Sequence, residues 1–462
     1  MIRRITLTAG ALGLVGVSAF LVTLAEPPVL ETRAPQTFQI EAPAPVVACP
    51  GPQSVPVGDV GTGGDLASEP TVRTIEVAGT ASTTAVGLGL GANDDIALQV
   101  ERIGDGDIEG WAALTCAQPS YDQWIVGGAT TLGASSRLVL SNPSTAPTEA
   151  TVTVYGPLGA LDDPLLVPVA AGDTVQRLIE GVAAELSAIV VRVEATGPGV
   201  VAALQDSRLE GFQPAGTAWV GTSGLAADLA IPLVNADAQP GQGGSAEGET
   251  GDVPDAVDLP EPTLTVRLMA PDGANVDLSL VSVEGGEEWS VGQPVALEAG
   301  VVTEVDVPTE ALGAIEIRAD APIVAAARTS VARLPREGLA DDVAYDHTWV
   351  PAMPVLTETT LTAVVPADDA RLAVYAPFEG SVEVLDQSGA VVGAADMAEG
   401  SVQWVPITAP FGTRVSIEGR FAWSLVMTSP EGYIAAVAPV DLSSSSLTAT
   451  VVPDTYPGAT SP

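Results

Sequence analysis

Short apolar runs that end at glycine or proline recur along most of the chain and constrain its fold more than any other feature. Apolar and polar residues alternate within these runs, and valine, isoleucine and threonine are abundant; examples are 137–143 (RLVLSNP), 151–156 (TVTVYG) and 188–193 (AIVVRV). A period of two residues between turn-forming ends is typical of half-buried β-strands. The sequence therefore predicts an all-β fold.

A repeat is visible behind this alternation. Trp124, Trp219 and Trp349 each open a similar segment (WIVGG, WVGTS and WVPAM), and each segment is followed later by a strand of small apolar residues. The middle unit is longer than the first by 28 residues, the length of the acidic, Gly- and Pro-rich stretch 235–262. We expect that stretch to be a disordered surface insertion, because it lacks the apolar residues that a core needs.

The repeat gives a domain organisation. The predicted parts are a membrane anchor or signal segment (1–25), a Pro-rich stalk (26–48), an N-terminal β module (49–123), three β-sandwich modules (124–218, 219–348 with the insertion, and 349–455) and a tail (456–462). Modules of this length match a seven-stranded sandwich better than a propeller blade. The predicted fold class is therefore tandem immunoglobulin-like β-sandwiches after one N-terminal transmembrane helix.

The N-terminal segment indicates where the protein resides. Residues 5–25 carry no charge, Arg3 and Arg4 precede them, and Glu26 follows. About 20 apolar residues can span a bilayer, and arginines before the span favour a cytoplasmic N-terminus. We expect a single-pass protein of the cytoplasmic membrane with its bulk outside the cytoplasm. The alternative is a secreted protein whose signal segment is cleaved.

The two cysteines, Cys49 and Cys116, fit that location. Disulfides form in oxidising compartments outside the cytoplasm, so we predict that these residues pair. The alternative is two free buried thiols.

The charged residues exclude several classes of function. The chain has 58 acidic and 17 basic residues, all the bases are arginine, and the formal net charge is −41. A nucleic-acid partner needs a basic surface, which this composition does not supply. With one histidine, His347, no site with several histidine ligands can form. We predict no catalytic, cofactor-binding or metal-binding residues, and no enzyme activity.

Three candidate sites have simpler interpretations. Asp346 and His347 could form an acid–base pair, but we expect a structural histidine. Residues 105–110 (DGDIEG) could hold calcium loosely, although the position of the essential glutamate of a calcium loop is Cys116. Trp124, Trp219 and Trp349 could stack on sugars, but their recurrence favours a packing role in each module.

Most of the chain, from about residue 45 onward, resembles a known family, and residues 116–143 are the most specific part of the resemblance. The relevant segments are 49–52 (CPGP), 116–128 (CAQPSYDQWIVGG) and 138–143 (LVLSNP). They are similar to an uncharacterised family of actinobacterial exported or membrane-anchored proteins that is defined by a domain of unknown function. This resemblance implies a cell-envelope setting and no assigned activity.

The sequence thus predicts a non-catalytic, extracytoplasmic scaffold or interaction protein of the cell envelope. Its expected partners are the membrane, through residues 5–25, and an envelope protein or glycan. An array of carbohydrate-binding modules on cell-wall glycan is the alternative function, and a hydrolase is a weaker one.

Overall fold

The computed structural model describes residues 36–39, 46–54, 72–78, 81–83, 88–90, 96–105, 108–211, 213–232, 259–282, 289–290, 293–307, 313–333, 343–441 and 448–451. The predicted anchor, most of the predicted stalk and insertion, and the predicted tail lie outside these residues. Within them the elements are β-strands and one 3₁₀ turn, Ile179–Gly181. The prediction of an all-β chain is confirmed.

The strands fall into four groups along the chain. The first group is β1 (Gln36–Gln39), β2 (Val46–Val47), β3 (Val72–Ala78), β4 (Ala81–Thr83), β5 (Leu88–Leu90), β6 (Ala97–Asp105) and β7 (Ile108–Cys116). The second is β8 (Asp122–Val126), β9 (Ala134–Ser141), β10 (Thr148–Gly156), β11 (Gly159–Ala160), β12 (Leu165–Val169), β13 (Thr174–Leu178), β14 (Val190–Ala195), β15 (Val201–Glu210), β16 (Gln213–Val220) and β17 (Thr222–Ser223).

The third group is β18 (Ala226–Pro232), β19 (Thr263–Met269), β20 (Ala274–Ser282), β21 (Trp289–Ser290), β22 (Val295–Leu297), β23 (Thr303–Val307), β24 (Gly313–Arg333), β25 (Ala344–Pro351) and β26 (Met353–Pro354). The fourth is β27 (Thr359–Val364), β28 (Arg371–Ala376), β29 (Gly380–Asp386), β30 (Val391–Met397), β31 (Ser401–Val405), β32 (Arg414–Gly419), β33 (Ala422–Thr428), β34 (Ile434–Val437), β35 (Val440–Asp441) and β36 (Thr448–Val451).

The chain divides into two units. One comprises residues 1–43 and 444–462, and its described part is the antiparallel pair of β1 and β36. Part of the predicted stalk thus pairs with the end of the predicted third module. The other unit, residues 44–443, contains all the remaining strands.

Three sandwiches in the larger unit repeat one strand order. In sandwich 1 the sheets are β11–β10–β14–β8–β17, with β12 also on β10, and β13–β9–β15–β16. Sandwich 2 has β21–β20–β24–β18–β26 and β23–β19–β24–β25, and its long strand β24 belongs to both sheets. Sandwich 3 has β30–β29–β32–β27–β35 and β31–β28–β33–β34. The last strand of the second sheet is therefore β16, β25 or β34.

The apolar alternation fills each sandwich. In β10, Ala150, Val152 and Val154 are buried, and they join residues of β9 and β15 from the facing sheet in one cluster. A two-residue period places such side chains on a single face of the strand, which explains the core. The same alternation leaves polar residues on the outer face.

The modules form a closed cycle of contacts. Before sandwich 1, β6 and β7 form an antiparallel hairpin, which we call the N-hairpin. Its strand β7 contacts β16 and β34, and β25 also contacts both of these strands. The N-hairpin thus packs against sandwich 1 and sandwich 3, and sandwich 2 closes the cycle. We call β7, β16, β25 and β34 the central strands.

The sequence predicts one membrane-spanning segment, residues 5–25. In the part of the chain that the structure describes, no helix has the length and apolar character to cross a bilayer. The predicted anchor, residues 5–25, lies outside that part.

Candidate functional site

The outer face of one sheet of sandwich 2 is polar, and sandwich 1 covers it. Across β19, β24 and β25 the register places Thr263, Ser330 and His347 in one row. The next row on the same face holds Thr265, Arg328 and Trp349. The hairpin of β15 and β16 lies against this face, because β16 contacts β25. Alternation therefore directs these side chains towards the neighbouring module rather than into the core.

We call the interface between sandwiches 1 and 2 the seam, and Asp206 of β15 is its buried centre. Its Oδ2 accepts a hydrogen bond from Trp349 Nε1 at 2.8 Å, and Arg208 donates to both carboxylate oxygens at 2.8 and 3.1 Å. His347 Nε2 lies 3.4 Å from Asp206 Oδ2. Burial alone would raise the pKa of Asp206, but Arg208 and His347 together hold it well below its usual value. Asp206 is therefore an ionised carboxylate that joins two sandwiches.

Arg267 of β19 crosses the same seam. Its guanidinium is fully buried, pairs with Glu304 at 2.7 Å, and donates to the carbonyl oxygens of Gly128 and Ile189 in sandwich 1 at 2.6 and 2.9 Å. It also lies over the Trp349 ring, 4.7 Å from the centroid. Burial lowers the pKa of Arg267 to about 10, against the opposing effect of Glu304. The group stays charged at neutral pH and fixes the relative position of the sandwiches.

Asp346 lies on the other face of β25 and joins three modules. Its Oδ2 accepts hydrogen bonds from the backbone N–H of Ile434 in sandwich 3 at 3.0 Å and of Trp111 in the N-hairpin at 3.4 Å. Burial raises the pKa of Asp346 to about 8, although these N–H groups and Arg333 oppose the rise. The carboxyl group is therefore largely protonated at neutral pH.

The neighbouring residues Asp346 and His347 do not form the acid–base pair considered from the sequence. Successive side chains of a strand point to opposite faces, so the two groups point to different module interfaces. His347 Nδ1 lies 3.2 Å from the carbonyl oxygen of Ala215, and its Nε2 faces Asp206.

A stack of charged and aromatic groups joins the remaining modules. Glu109 of β7 pairs with Arg333 of β24 at 3.0 Å and accepts a hydrogen bond from the Tyr433 hydroxyl of sandwich 3. Arg333 lies over the Tyr433 ring, and Trp111 stacks on that ring with centroids 5.9 Å apart. Glu109 thus has a structural ion pair, which weakens the calcium interpretation of residues 105–110.

The cysteines form the predicted disulfide, Cys49–Cys116, with Cα atoms 4.6 Å apart. The segment that follows Cys49 runs between the N-hairpin and sandwich 1. Gln99 binds the backbone of Gly51 through both amide atoms, at 3.1 and 2.6 Å, and Gln205 binds the backbone of Ser54 at 2.9 and 2.8 Å. The disulfide therefore tethers a segment that is held by side chains rather than by sheet pairing.

The three repeat-marking tryptophans are all buried, with 5% (Trp124), 3% (Trp219) and 2% (Trp349) of their surface exposed. Trp219 and Trp349 occupy equivalent strands, β16 and β25, and pack one module against the next. Trp124 lies in β8, in the register row of Arg192 on the outer face of the sheet, with the Arg192 guanidinium over its ring at 4.9 Å. The structural repeat therefore sets Trp124 apart from the other two, and the new sandwiches begin after Trp219 and Trp349.

A cavity of about 300 Å³ opens along the seam between sandwiches 1 and 2. Its lining includes Arg208, Glu210, Arg328, Ser330, Tyr345 and His347. Sequence reasoning selected His347 but missed the arginines. These arginines could have been found from their position inside otherwise apolar strands, as in 323–333 (IVAAARTSVAR). Such a pattern indicates an outer face that another module covers. Among the described residues, no group of three or more His, Cys, Asp or Glu side chains could hold a metal ion.

Comparisons with known proteins give a family. Solved structures that are similar include a BSP domain of a biofilm-associated protein (11% identity, 82% of this chain and 67% of that chain, TM-score 0.14). Another is the native conformation of Escherichia coli alpha-2-macroglobulin (14% identity, 81% of this chain and 27% of that chain, TM-score 0.12). These TM-scores are too low to establish a shared fold, and no curated protein matches. The profile of a family of unknown function, DUF5719, matches residues 56–403, so the chain belongs to that family.

Proposed function

We propose that the chain is a non-catalytic scaffold or interaction protein of the cell envelope, with its bulk outside the cytoplasm. The main support for this proposal is the closed cycle of modules. In it, buried polar groups such as Asp206, Arg267 and Asp346 bind across module boundaries. Removing one partner from a buried ion pair typically costs about 3–5 kcal/mol, so such modules stay together. A body of this kind holds its binding surfaces at fixed spacing.

The sequence also supports a membrane anchor. Residues 5–25 would anchor the chain in the cytoplasmic membrane, with cleavage of that segment and secretion as the alternative. Each sandwich pairs a four-stranded sheet with a larger one, which supports the immunoglobulin-like class. The actinobacterial, exported character implied by the resemblance belongs to this proposal.

The burial of the tryptophans supports a protein-interaction role over sugar stacking. Aromatic platforms for sugars need an open ring face, and Trp124, Trp219 and Trp349 are at most 5% exposed. Titration calorimetry of the protein against uncharged envelope polysaccharides checks this choice, and we expect no heat of binding. A screen with polysaccharide and peptide substrates, with His347→Ala as the control, checks the non-catalytic assignment; any turnover that this substitution removes would contradict it.

Labelling of intact cells tests the location. Gln387 is exposed in the turn between β29 and β30, so Gln387→Cys should react with a membrane-impermeant maleimide on intact cells. Ile2→Cys is the matched control, and it should react only after lysis if residues 5–25 remain as an anchor. Labelling of Gln387→Cys only after lysis would overturn the proposed location, whereas loss of the Ile2→Cys label from the mature chain would indicate cleavage.

A further inference from the structure

We infer that the cavity between sandwiches 1 and 2 binds one carboxylate group of a small ligand, with the Arg328 guanidinium as its counter-charge. The cavity volume, about 300 Å³, is at the lower end of the range of ligand pockets and suits a molecule of monosaccharide size. This site requires only the folded larger unit and is independent of the proposed location.

Arg328 is the residue that points to an anion. It lines the cavity from β24, and no carboxylate among the described residues forms an ion pair with it. Every other described arginine of the seam is neutralised: Arg208 by Asp206 and Arg267 by Glu304. A partly buried charge without a partner is costly, so a bound anion would be stabilised there.

The surroundings of Arg328 hold its guanidinium in place. The group lies over the ring of Trp349, 5.9 Å from the centroid, and Trp349 is itself fixed by its hydrogen bond to Asp206. Burial lowers the pKa of Arg328 and the nearby Arg208 lowers it further, while Asp206, Glu304 and Asp306, none of which forms an ion pair with it, oppose the fall. Guanidinium groups stay protonated under such shifts, and their planar fork matches a carboxylate in two-pronged geometry.

The charges of the cavity favour a monoanion. Asp206 neutralises Arg208, and Arg328 has no ion pair among the described residues, while Glu210 adds a negative charge to the lining that disfavours a second negative charge on the ligand. A phosphate dianion would bring more negative charge than this arrangement can balance. Ser330 and Tyr345 add hydroxyl groups to the lining, which can bind polar atoms next to the carboxylate. An acidic sugar such as a uronic acid combines these features.

Calorimetric titration of the full-length protein with D-glucuronate tests the inference, with D-glucose as the uncharged probe and inorganic phosphate as the dianion. We expect D-glucuronate to bind with a dissociation constant of about 10 mM or tighter, D-glucose not to bind, and phosphate to bind more weakly. Acetate, the carboxylate alone, should compete with D-glucuronate.

Two substitutions in β24 give a matched comparison. Arg328→Gln should weaken D-glucuronate binding about tenfold or more, because it removes a charge-assisted hydrogen bond. Arg318→Gln makes the same change of charge at a side chain that is 68% exposed and pairs with Glu316, so it should leave binding unchanged. Arg328→Lys keeps the charge but loses the fork, and it provides the comparison if Arg328→Gln fails to fold.

Three results would overturn the inference. They are no binding of D-glucuronate at several times the expected dissociation constant, phosphate binding tighter than D-glucuronate, and unchanged affinity in the folded Arg328 variants. Failure of the envelope proposal would leave these measurements unaffected, because they use purified protein.

Discussion

Asp346 and Asp206 are both fully buried carboxyl groups, yet their surroundings shift their pKa values in opposite directions. Asp346 accepts backbone N–H groups and forms no ion pair with any residue that the structure describes, so burial dominates and raises its pKa to about 8. At Asp206 the contacts of Arg208 and His347 outweigh burial and lower its pKa. The two residues should therefore give the folded protein opposite dependences on pH.

Asp346→Asn should stabilise the protein at pH 8. The folded state of the wild type retains a proton that the unfolded state releases above about pH 4, so stability falls as the pH rises from there to about 8. Asparagine removes this loss and its Oδ1 can still accept from Ile434. We expect a gain of roughly 1–3 kcal/mol at pH 8 that vanishes near pH 4. Urea unfolding at several pH values measures it, and a constant difference at all pH values would contradict it.

Asp206→Asn should act in the reverse sense. The lowered pKa of Asp206 means that its contribution is present above about pH 4 and is lost as the pH falls through the pKa of the folded state. The variant removes the carboxylate that binds Arg208 and Trp349, so we expect the free energy of unfolding to fall by about 3–5 kcal/mol at pH 7. Urea unfolding of the variant and the wild type at several pH values measures this difference. A difference in stability that stays constant in acid would contradict the role of the ion pair.

At the scale of the elements, two glycines let the central strands approach. An added Cβ at Gly110 of β7 would lie 2.6 Å from Asp346 Oδ1, and one at Gly216 of β16 would lie 2.5 Å from His347 Nδ1 and 2.8 Å from its backbone nitrogen. Gly216 also has φ +99° and lies where the pairing of β15 with β16 shifts register. This bulge brings the hairpin of sandwich 1 close to β25.

Gly216→Ala should therefore loosen the contact of sandwiches 1 and 2. Gly389, in a turn of sandwich 3, also has a positive φ (+79°) but has no atom within 4 Å of an added Cβ. Gly389→Ala thus carries the backbone strain without the clash. We expect Gly216→Ala to cost about 1–3 kcal/mol more than Gly389→Ala, the usual range for overpacking. Denaturant unfolding of the two variants measures these costs. Equal losses of stability would show that the interface accommodates the added methyl group without strain.

The sequence predicted the strands well because their information is local. Alternation and turn residues identify β9 and β10, and the recurring tryptophans revealed a repeat. Trp124 does lie in the first strand of sandwich 1, but Trp219 and Trp349 lie in β16 and β25, which belong to the preceding sandwich and come just before the next one in sequence. The cavity could not be predicted from the sequence. An outer residue such as Arg328 looks solvent-exposed until another module covers it. That packing depends on contacts between β16 and β25, two strands that are distant in sequence.

At the scale of the whole molecule, the closed cycle implies that the modules unfold together. The core of sandwich 1 extends to Val324 and Trp349 of sandwich 2, and the core of sandwich 3 includes Leu98 and Val100 of the N-hairpin. No module of the cycle buries its apolar surface without its neighbours. We expect one transition for the larger unit rather than a series of independent ones.

The disulfide provides the test of this cooperativity. Cys49–Cys116 closes a loop with a sequence separation of 67 residues, worth about 4 kcal/mol if it acts by restricting the unfolded chain. The paired variant Cys49→Ser with Cys116→Ser should lower the stability of the whole unit by about that amount. Unfolding followed by far-ultraviolet circular dichroism reports the sheets, and tryptophan fluorescence reports the module contacts around Trp219 and Trp349. The two curves should shift together, because the N-hairpin that the disulfide holds packs against both sandwich 1 and sandwich 3. An early transition of the N-hairpin alone, with the sandwiches still folded, would contradict a cooperative cycle.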